Sequence, residues 1–306
     1  MLRPGLNSDV PVPTDQAGRS CPESRRYSCL YRILSAEELV PDIYLFRVDA
    51  PTIARKAQAG QFVIVRVDEP GERIPLTIAD WDRGEGSISV VFHAVGRTTR
   101  KLAALKTGDS ILNFVGPLGL AAHVEKWGTV VCVSAGYATA TLVPITSAAK
   151  QAGNRVISIV RAPSKDTLFG EQRLASVSDQ VIVVTGDGSY GVEGFLFDPL
   201  QDLLAKEKVD RVFVMGPACV MRLTAAVTRP FGVKTVAALN PIMLDGTGMC
   251  GVCRVTVNGD TKFACVDGPE FDAHAVDWDS LMARRCTYSA EPGALPKYQC
   301  RTCAQW

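Results

Sequence analysis

Hydrophobic and polar positions change rhythm along the chain. Between Tyr27 and about Leu118, short apolar runs (IYLFRV, GQFVIVRV, SISVVFHAV, ILNFVG) are separated by turn signals such as PGER, DRGEG and KTGD. Short β-rich runs at this spacing predict an antiparallel barrel or sandwich. From about His123 the rhythm becomes strand, then helix, repeatedly. TVVCVSAG reads as a buried strand, ATLVPITSAAKQAGN as an amphipathic helix closed by Gly153, and RVISIVRA as the next strand. A polar helix around DTLFGEQRLAS follows, and QVIVVTGDG, FLFDPLQDLLAKEK, RVFVMGP, ACVMRLTAAVT and KTVAALN continue the pattern. Such alternation predicts a parallel sheet with crossover helices, with ligands at the C-terminal ends of the strands. The organisation expected is an extension (1–26), a β-barrel (27–122), an α/β domain (123–240), a Cys- and Gly-rich module (241–274) and a polar tail (275–306).

Composition narrows the class. Apolar residues make up 47% and charged residues 21% of the 306 positions, which fits a packed globule. A net charge of +1 gives no basic face for nucleic acid. No apolar run reaches the roughly 18 residues of a membrane span, and the N-terminus lacks a secretory core. The expected location is the cytoplasm. There, ten cysteines point to metal binding or redox work rather than disulfides.

Three of these cysteines are crowded together in LDGTGMCGVCRVTVNGDTKFACVDG. Cys250 and Cys253 form a Cys-x2-Cys pair, and Cys265 follows after eleven residues. Plant-type [2Fe–2S] loops read Cys-x4-Cys-x2-Cys, and Asp245 stands at the offset of the first cysteine. Gly246, Gly248 and Gly251 let the backbone turn its N–H groups toward an anionic cluster. A structural zinc site with three thiolates and a carboxylate is the competing reading, although zinc sites usually carry two paired knuckles.

Phosphate and nucleotide signals are weaker one by one. Arg73-Ile-Pro75-Leu76-Thr77 supplies a guanidinium for a pyrophosphate and a hydroxyl for a flavin. Gly96 precedes Arg97, Thr98 and Thr99 at a helix start, a combination suited to phosphate. A Pro-containing strand and a capped helix explain both motifs structurally as well. Gly136 in SAGYATATLVP, Asp187 and Gly188 in TGDGSYG, and Gly216 in MGPACVM fall at successive strand ends. Arg161, Ser164 and Lys165 follow the second strand near the expected adenosine ribose; their charge suits a 2′-phosphate, a solvated loop explains them as well, and NADH and NADPH both stay open. Cys132 and Cys219 read as core thiols, and His93, His123 and His274 as structural or surface residues.

RIPLTIAD, VGRTTRKL, GDGSYG, MGPACVM, LNPIMLDGTGMCGVCRVTV and FACVDGPEFDAH together carry a resemblance. From about Tyr27 to His274 the chain is similar to the small (alpha) subunit of NADH-dependent ferredoxin–NADP oxidoreductase, also described as the sulfide dehydrogenase beta subunit. The electron-transfer subunit of dihydroorotate dehydrogenase, usually with four cysteine ligands, is a more distant resemblance. The resemblance implies an antiparallel Greek-key FAD barrel, a parallel-sheet NAD(P)H domain and a small C-terminal [2Fe–2S] module. It implies flavin binding by Arg73, Pro75, Leu76 and Thr77, with Gly96, Thr98 and Thr99 at the pyrophosphate. It also implies cluster ligation by Asp245, Cys250, Cys253 and Cys265. The partner implied is a larger flavin and iron–sulfur subunit like the small subunit of glutamate synthase, with ferredoxin in an electron-bifurcating complex. One segment departs from the family. Its nucleotide turn, usually Gly-Gly-Val-Gly-Ile-Ala-Pro, here reads Ala135-Gly136-Tyr137-Ala138-Thr139-Ala140-Thr141. Ala138 still permits close backbone approach, or Tyr137 obstructs it, and a docking or relay subunit without nucleotide binding remains the alternative. The thiols of Cys21, Cys29, Cys286, Cys300 and Cys303 are unusual for the family and hint at a different assembly or partner; a contact or metal-binding role for the two ends and merely incidental thiols both stay open.

Overall fold

A computed structural model of the chain describes residues 30–285. The extension over 1–26 and Cys21, Cys29, Cys286, Cys300 and Cys303 lie outside the described residues.

The first seven strands are β1 (Tyr31–Val40), β2 (Ile43–Asp49), β3 (Phe62–Arg66), β4 (Arg73–Asp82), β5 (Ser87–His93), β6 (Ser110–Ile111) and β7 (Asn113–Leu118). They make one antiparallel sheet in the order β6-β1-β2-β5-β4-β3-β7. β5 returns to pair with β2 across the β3–β4–β5 meander, a Greek-key crossing. Only Leu112 separates β6 from β7, yet β6 pairs with β1 and β7 with β3. One short segment thus touches both edges, so the sheet curls into a nearly closed barrel. Helices α1 (Pro51–Ala54) and α2 (Arg97–Ala103) lie in its connections. Alternation along the strands sorts the faces. Val63, Val65, Leu76, Ile78, Ile88, Val90 and Phe92 fill the barrel, whereas Phe62 and Ile64 pack outside it, against the other domain.

The second sheet holds β8 (Thr129–Ala135), β9 (Arg155–Ala162), β10 (Gln180–Thr185), β11 (Val192–Glu193), β12 (Arg211–Met215) and β13 (Lys234–Ala238) in parallel. Its order is β11-β10-β9-β8-β12-β13, with β16 (Glu270–Asp272) added antiparallel beside β13. Helices α3 (Ala138–Gln151), α4 (Glu171–Val177), α5 (Phe197–Lys206) and α6 (Ala218–Thr228) make the connections. The polar helix expected around residues 166–176 is broken. A 3-10 turn at Lys165–Thr167 precedes α4, because Gly170 adopts φ 76° between them.

The Cys-rich module is stitched to this sheet through β16. It also contains a hairpin, β14 (Arg254–Val257) with β15 (Asp260–Phe263), turned by Asn258 and Gly259 at φ 53° and 82°. Within the stretch read as a polar tail, Trp278–Arg285 form a helix, α7, with Trp278 and Leu281 buried. Among the described residues, no helix is long and apolar enough to cross a membrane.

Candidate functional site

Register decides which side chains of β4 are available to a ligand. Thr77 pairs with Phe62, Pro75 with Ile64 and Arg73 with Arg66. Directly paired residues share a face, so Arg73, Pro75 and Thr77 form an outward row beside Phe62 and Ile64. Alternation continues this row to Ala79, which is buried with Ala140 of α3. Leu76 points the other way, into the barrel core, which leaves only its backbone for a cofactor.

The helix start at Gly96 stands beside this row. The Thr98 hydroxyl donates to Glu72 Oε2 at 2.9 Å, joining α2 to the residue before Arg73. Thr99 Oγ1 accepts the Gly96 N–H at 2.9 Å and caps the turn. The Glu72 carboxylate marks where an anionic acceptor sits against this helix end. Gly96, Thr98 and Thr99 are thereby held beside Glu72, the residue before Arg73, and together with Arg73 they suit the pyrophosphate of a dinucleotide such as FAD.

The Cys-rich loop closes on itself in two places. The Cys253 and Cys265 sulfurs meet at 3.2 Å in a buried position. Burial, then the neighbouring Cys253, pushes the Cys265 thiol up to about 12. Asp245 Oδ1 accepts the Thr247 N–H at 2.7 Å, and Oδ2 accepts the Cys250 N–H at 2.8 Å. Those donors, Thr247 first, hold the Asp245 carboxyl below the ordinary carboxylate range. Cys250 is exposed. Among the described residues these four side chains do not yet converge on one point. They nonetheless offer three thiols and one carboxylate on a loop bent by Gly246, Gly248 and Gly251 at φ 78°, 84° and 66°. That donor set fits a [2Fe–2S] cluster. A Cβ at Gly246 would lie 2.6 Å from Leu118 Cδ1 and 2.9 Å from Ile64 Cγ1, so the loop rests directly on β7 and β3.

The nucleotide edge is assembled from distant residues. Strand order turns between β8 and β12, and Gly136 and Gly216 flank that switch point at φ 61° and 154°. Gly136 N–H donates to Arg161 O at 3.1 Å, and nothing stands within 4 Å of a Cβ built on it. Asn240 Nδ2 donates to Gly216 O at 3.1 Å, and Asn240 Oδ1 accepts from Arg285 Nη1 at 3.1 Å. Asn240 and Arg285 escaped the sequence reading, since no spacing signal links residues 45 positions apart. Asp187 and Gly188 belong to the loop after β10, two strands from β8. Asp187 Oδ1 accepts the Ser189 hydroxyl at 2.6 Å and the Ser189 N–H at 3.0 Å, which lowers the Asp187 carboxyl. Arg161 folds back onto the Phe195 ring at 5.0 Å, and the Lys165 ammonium lies 5.7 Å from the Tyr190 ring.

The remaining thiols and histidines play other parts. Cys132 and Cys219 are buried. His274 Nε2 pairs with the Thr228 hydroxyl at 2.9 Å, on α6.

Comparison with known proteins agrees with this layout. Residues 240–277 match the iron–sulfur cluster binding domain of dihydroorotate dehydrogenase B. The chain is 44% identical over 261 residues to a homologue of the dihydroorotate dehydrogenase B (NAD(+)) electron transfer subunit from Thermotoga maritima, covering 85% of this chain and 92% of that protein. A chain in the structure of NADH-dependent reduced ferredoxin-NADP oxidoreductase, solved in connection with flavin-based electron bifurcation, superposes with a TM-score of 0.81. It shares 43% identity over 85% of this chain and 94% of that one. A ferredoxin NADP+ reductase from Neisseria gonorrhoeae, 17% identical with a TM-score of 0.55, shares the fold over 66% of this chain and 91% of its own. The chain belongs to the family of electron-transfer subunits that includes the dihydroorotate dehydrogenase B subunit and the matched chain of the ferredoxin-NADP oxidoreductase, built on a ferredoxin–NADP reductase-like fold.

Proposed function

We propose that this chain is the electron-transfer flavoprotein subunit of an NAD(P)H oxidoreductase, passing electrons between NAD(P)H, FAD and a [2Fe–2S] cluster. Arg73, Pro75, Thr77 and the Leu76 backbone hold FAD on the outer face of the barrel, with Gly96, Thr98 and Thr99 at its pyrophosphate. Asp245, Cys250, Cys253 and Cys265 hold the cluster. Gly136 and Gly216 admit the nicotinamide end of NAD(P)H, and Asp187 and Gly188 shape the outer part of the same edge. When bound, the flavin converts two-electron into one-electron traffic.

One observation carries this reading. Ile64 pairs with Pro75 on one side and meets Gly246 of the cluster loop on the other, while Ala79 of the same outward row meets α3. Flavin strand and cluster loop are thus separated by a single strand, and neighbouring strands lie about 4.8 Å apart. The nucleotide domain abuts the end of that row. Redox groups placed there are neighbours, in the order the relay needs.

A relay of this kind delivers to a larger subunit. The relatives' names, an electron transfer subunit and a ferredoxin-NADP oxidoreductase, support a larger catalytic partner. We read it as a flavin and iron–sulfur subunit of the glutamate synthase small-subunit type, with ferredoxin as a further redox partner, working in the cytoplasm. The expected preparation contains one FAD and about two iron and two labile sulfide per chain, and NADH or NADPH bleaches its flavin anaerobically. Zinc in place of iron overturns the cluster assignment. A flavin bleached by neither nucleotide leaves the second reading, a relay without nucleotide binding, which the bulk of Tyr137 favours.

A further inference from the structure

Tyr137 follows Gly136 at the switch point and occupies the N-cap position of α3. It belongs to both walls of the crevice. On the barrel side Tyr137 packs against the buried cluster of Ile43, Ala79, Val91 and Ala140, and Ala79 continues the outward row two positions beyond Thr77. On the nucleotide side its hydroxyl faces Asn240, which donates to Gly216 O and is itself held by Arg285. Burial pushes the hydroxyl's pKa up, and Arg285 and Asn240 offset part of that shift. Tyr137 therefore stands between the barrel cluster around Ala79 on one side and Asn240, which follows β13, on the other. Gly136 leaves the backbone open beneath it, and the nearest atom to a Cβ on Gly216 is Ala135 Cβ at 3.6 Å. In this turn Tyr137 is the large side chain that crosses the crevice.

A nicotinamide must lie flat against a flavin to exchange electrons with it, and this crevice is where the fold admits one. Asn240 is held by two hydrogen bonds, which fixes its amide orientation and leaves it one N–H and one carbonyl lone pair. Those match the carbonyl and N–H of a carboxamide.

We propose that Tyr137 gates the nicotinamide site: its ring occupies the place of the nicotinamide, and binding of NAD(P)H requires it to swing out and give up Asn240 to the carboxamide. The gate rests on the nucleotide reading above. It makes binding a competition between two flat rings, so affinity is reduced by the fraction of time the tyrosine is home. A ring in place about 90% of the time weakens binding about tenfold.

The test uses the full chain loaded with FAD and cluster, as wild type, Tyr137→Val and Tyr137→Phe. Calorimetric titration of the oxidised protein with NAD+ and NADP+ measures binding without turnover, and anaerobic mixing with NADH and NADPH measures flavin reduction. Tyr137→Val is expected to bind about tenfold tighter, and to reach half-maximal reduction at correspondingly lower nucleotide. Tyr137→Phe keeps the ring and loses the hydroxyl contacts, so a smaller gain, about two- to threefold, is expected. It is close to isosteric and serves where Tyr137→Val is poorly folded. Equal or weaker binding by both variants, with wild type still reduced by nucleotide, overturns the gate and leaves the proposed function standing. Absence of binding and of reduction in all three proteins overturns the nucleotide site and the gate with it.

Discussion

The cluster loop and the nucleotide turn are both glycine-bent segments, and they are built in opposite ways. Asp245 caps N–H groups of its own loop, and Cys253 meets Cys265 twelve positions away. The nucleotide turn draws its surroundings from Arg161, Gly216, Asn240 and Arg285, spread over more than a hundred positions of the chain. A site contained in one loop depends on few partners elsewhere in the chain. A site spread over strand ends depends on segments that only the tertiary fold brings together.

The sharpest way to break this contrast is at Cys253. Cys253→Ser is expected to lower iron from about two per chain to near zero while flavin content and nucleotide binding persist. Simultaneous loss of flavin would mean that the loop is not self-contained.

Two glycine substitutions sharpen it. Gly246→Ala places a methyl against Leu118 and Ile64 at φ 78°, and should cost about 3 kcal/mol from strain plus overpacking. Gly136→Ala meets nothing within 4 Å at φ 61°, so only strain of about 1 kcal/mol is expected. Denaturant midpoints of the two variants measure the difference, and equal costs would refute it.

Glu270 lies at the seam between the two regions. Its Oε1 is buried without a hydrogen bond, and a Cβ on Gly60 would lie 2.9 Å from it. Burial raises its pKa from 4.5 to about 7. The folded chain therefore holds a proton that the unfolded chain has released between those values, and stability falls as pH rises through that window. Glu270→Gln should match wild type below pH 4.5 and exceed it by up to about 3 kcal/mol above pH 7. Urea midpoints at pH 4.5 and 8 decide it; a difference independent of pH would mean that the carboxyl is solvated.

The smallest effect is expected at the pair joining barrel to nucleotide domain. Arg173 Nη2 meets Asp80 Oδ2 at 2.6 Å with both side chains about half exposed, so Arg173→Ala should cost under about 1 kcal/mol. A larger loss in a thermal melt would make this pair the hinge between the domains.

What the sequence made legible follows from the range of each signal. The Cys spacing was readable because the candidate ligands Asp245, Cys250, Cys253 and Cys265 lie within one short stretch of sequence. RIPLT and VGRTT were readable as motifs, yet their meeting through Glu72 and Thr98 depends on tertiary structure. Leu76 read as part of the flavin motif, but strand alternation turns its side chain into the barrel core. Helix α7 escaped because its apolar signal is confined to Trp278, Leu281 and Met282 among charged neighbours. The break at Gly170 escaped because a single positive φ leaves no periodic trace.

The two arginines that end α7 face different tasks. Arg284 Nη2 donates to Val252 O, between two candidate cluster ligands, at 3.1 Å, while Arg285 Nη1 reaches Asn240 Oδ1 on the nucleotide edge at 3.1 Å. Adjacent residues on one eight-residue helix thus act as a single staple for both sites. For anyone shortening the chain, the permissible cut is set there. A truncation ending before Trp278 removes both contacts at once and would confound cluster loss with nucleotide loss, whereas one that ends immediately after Arg285 retains both.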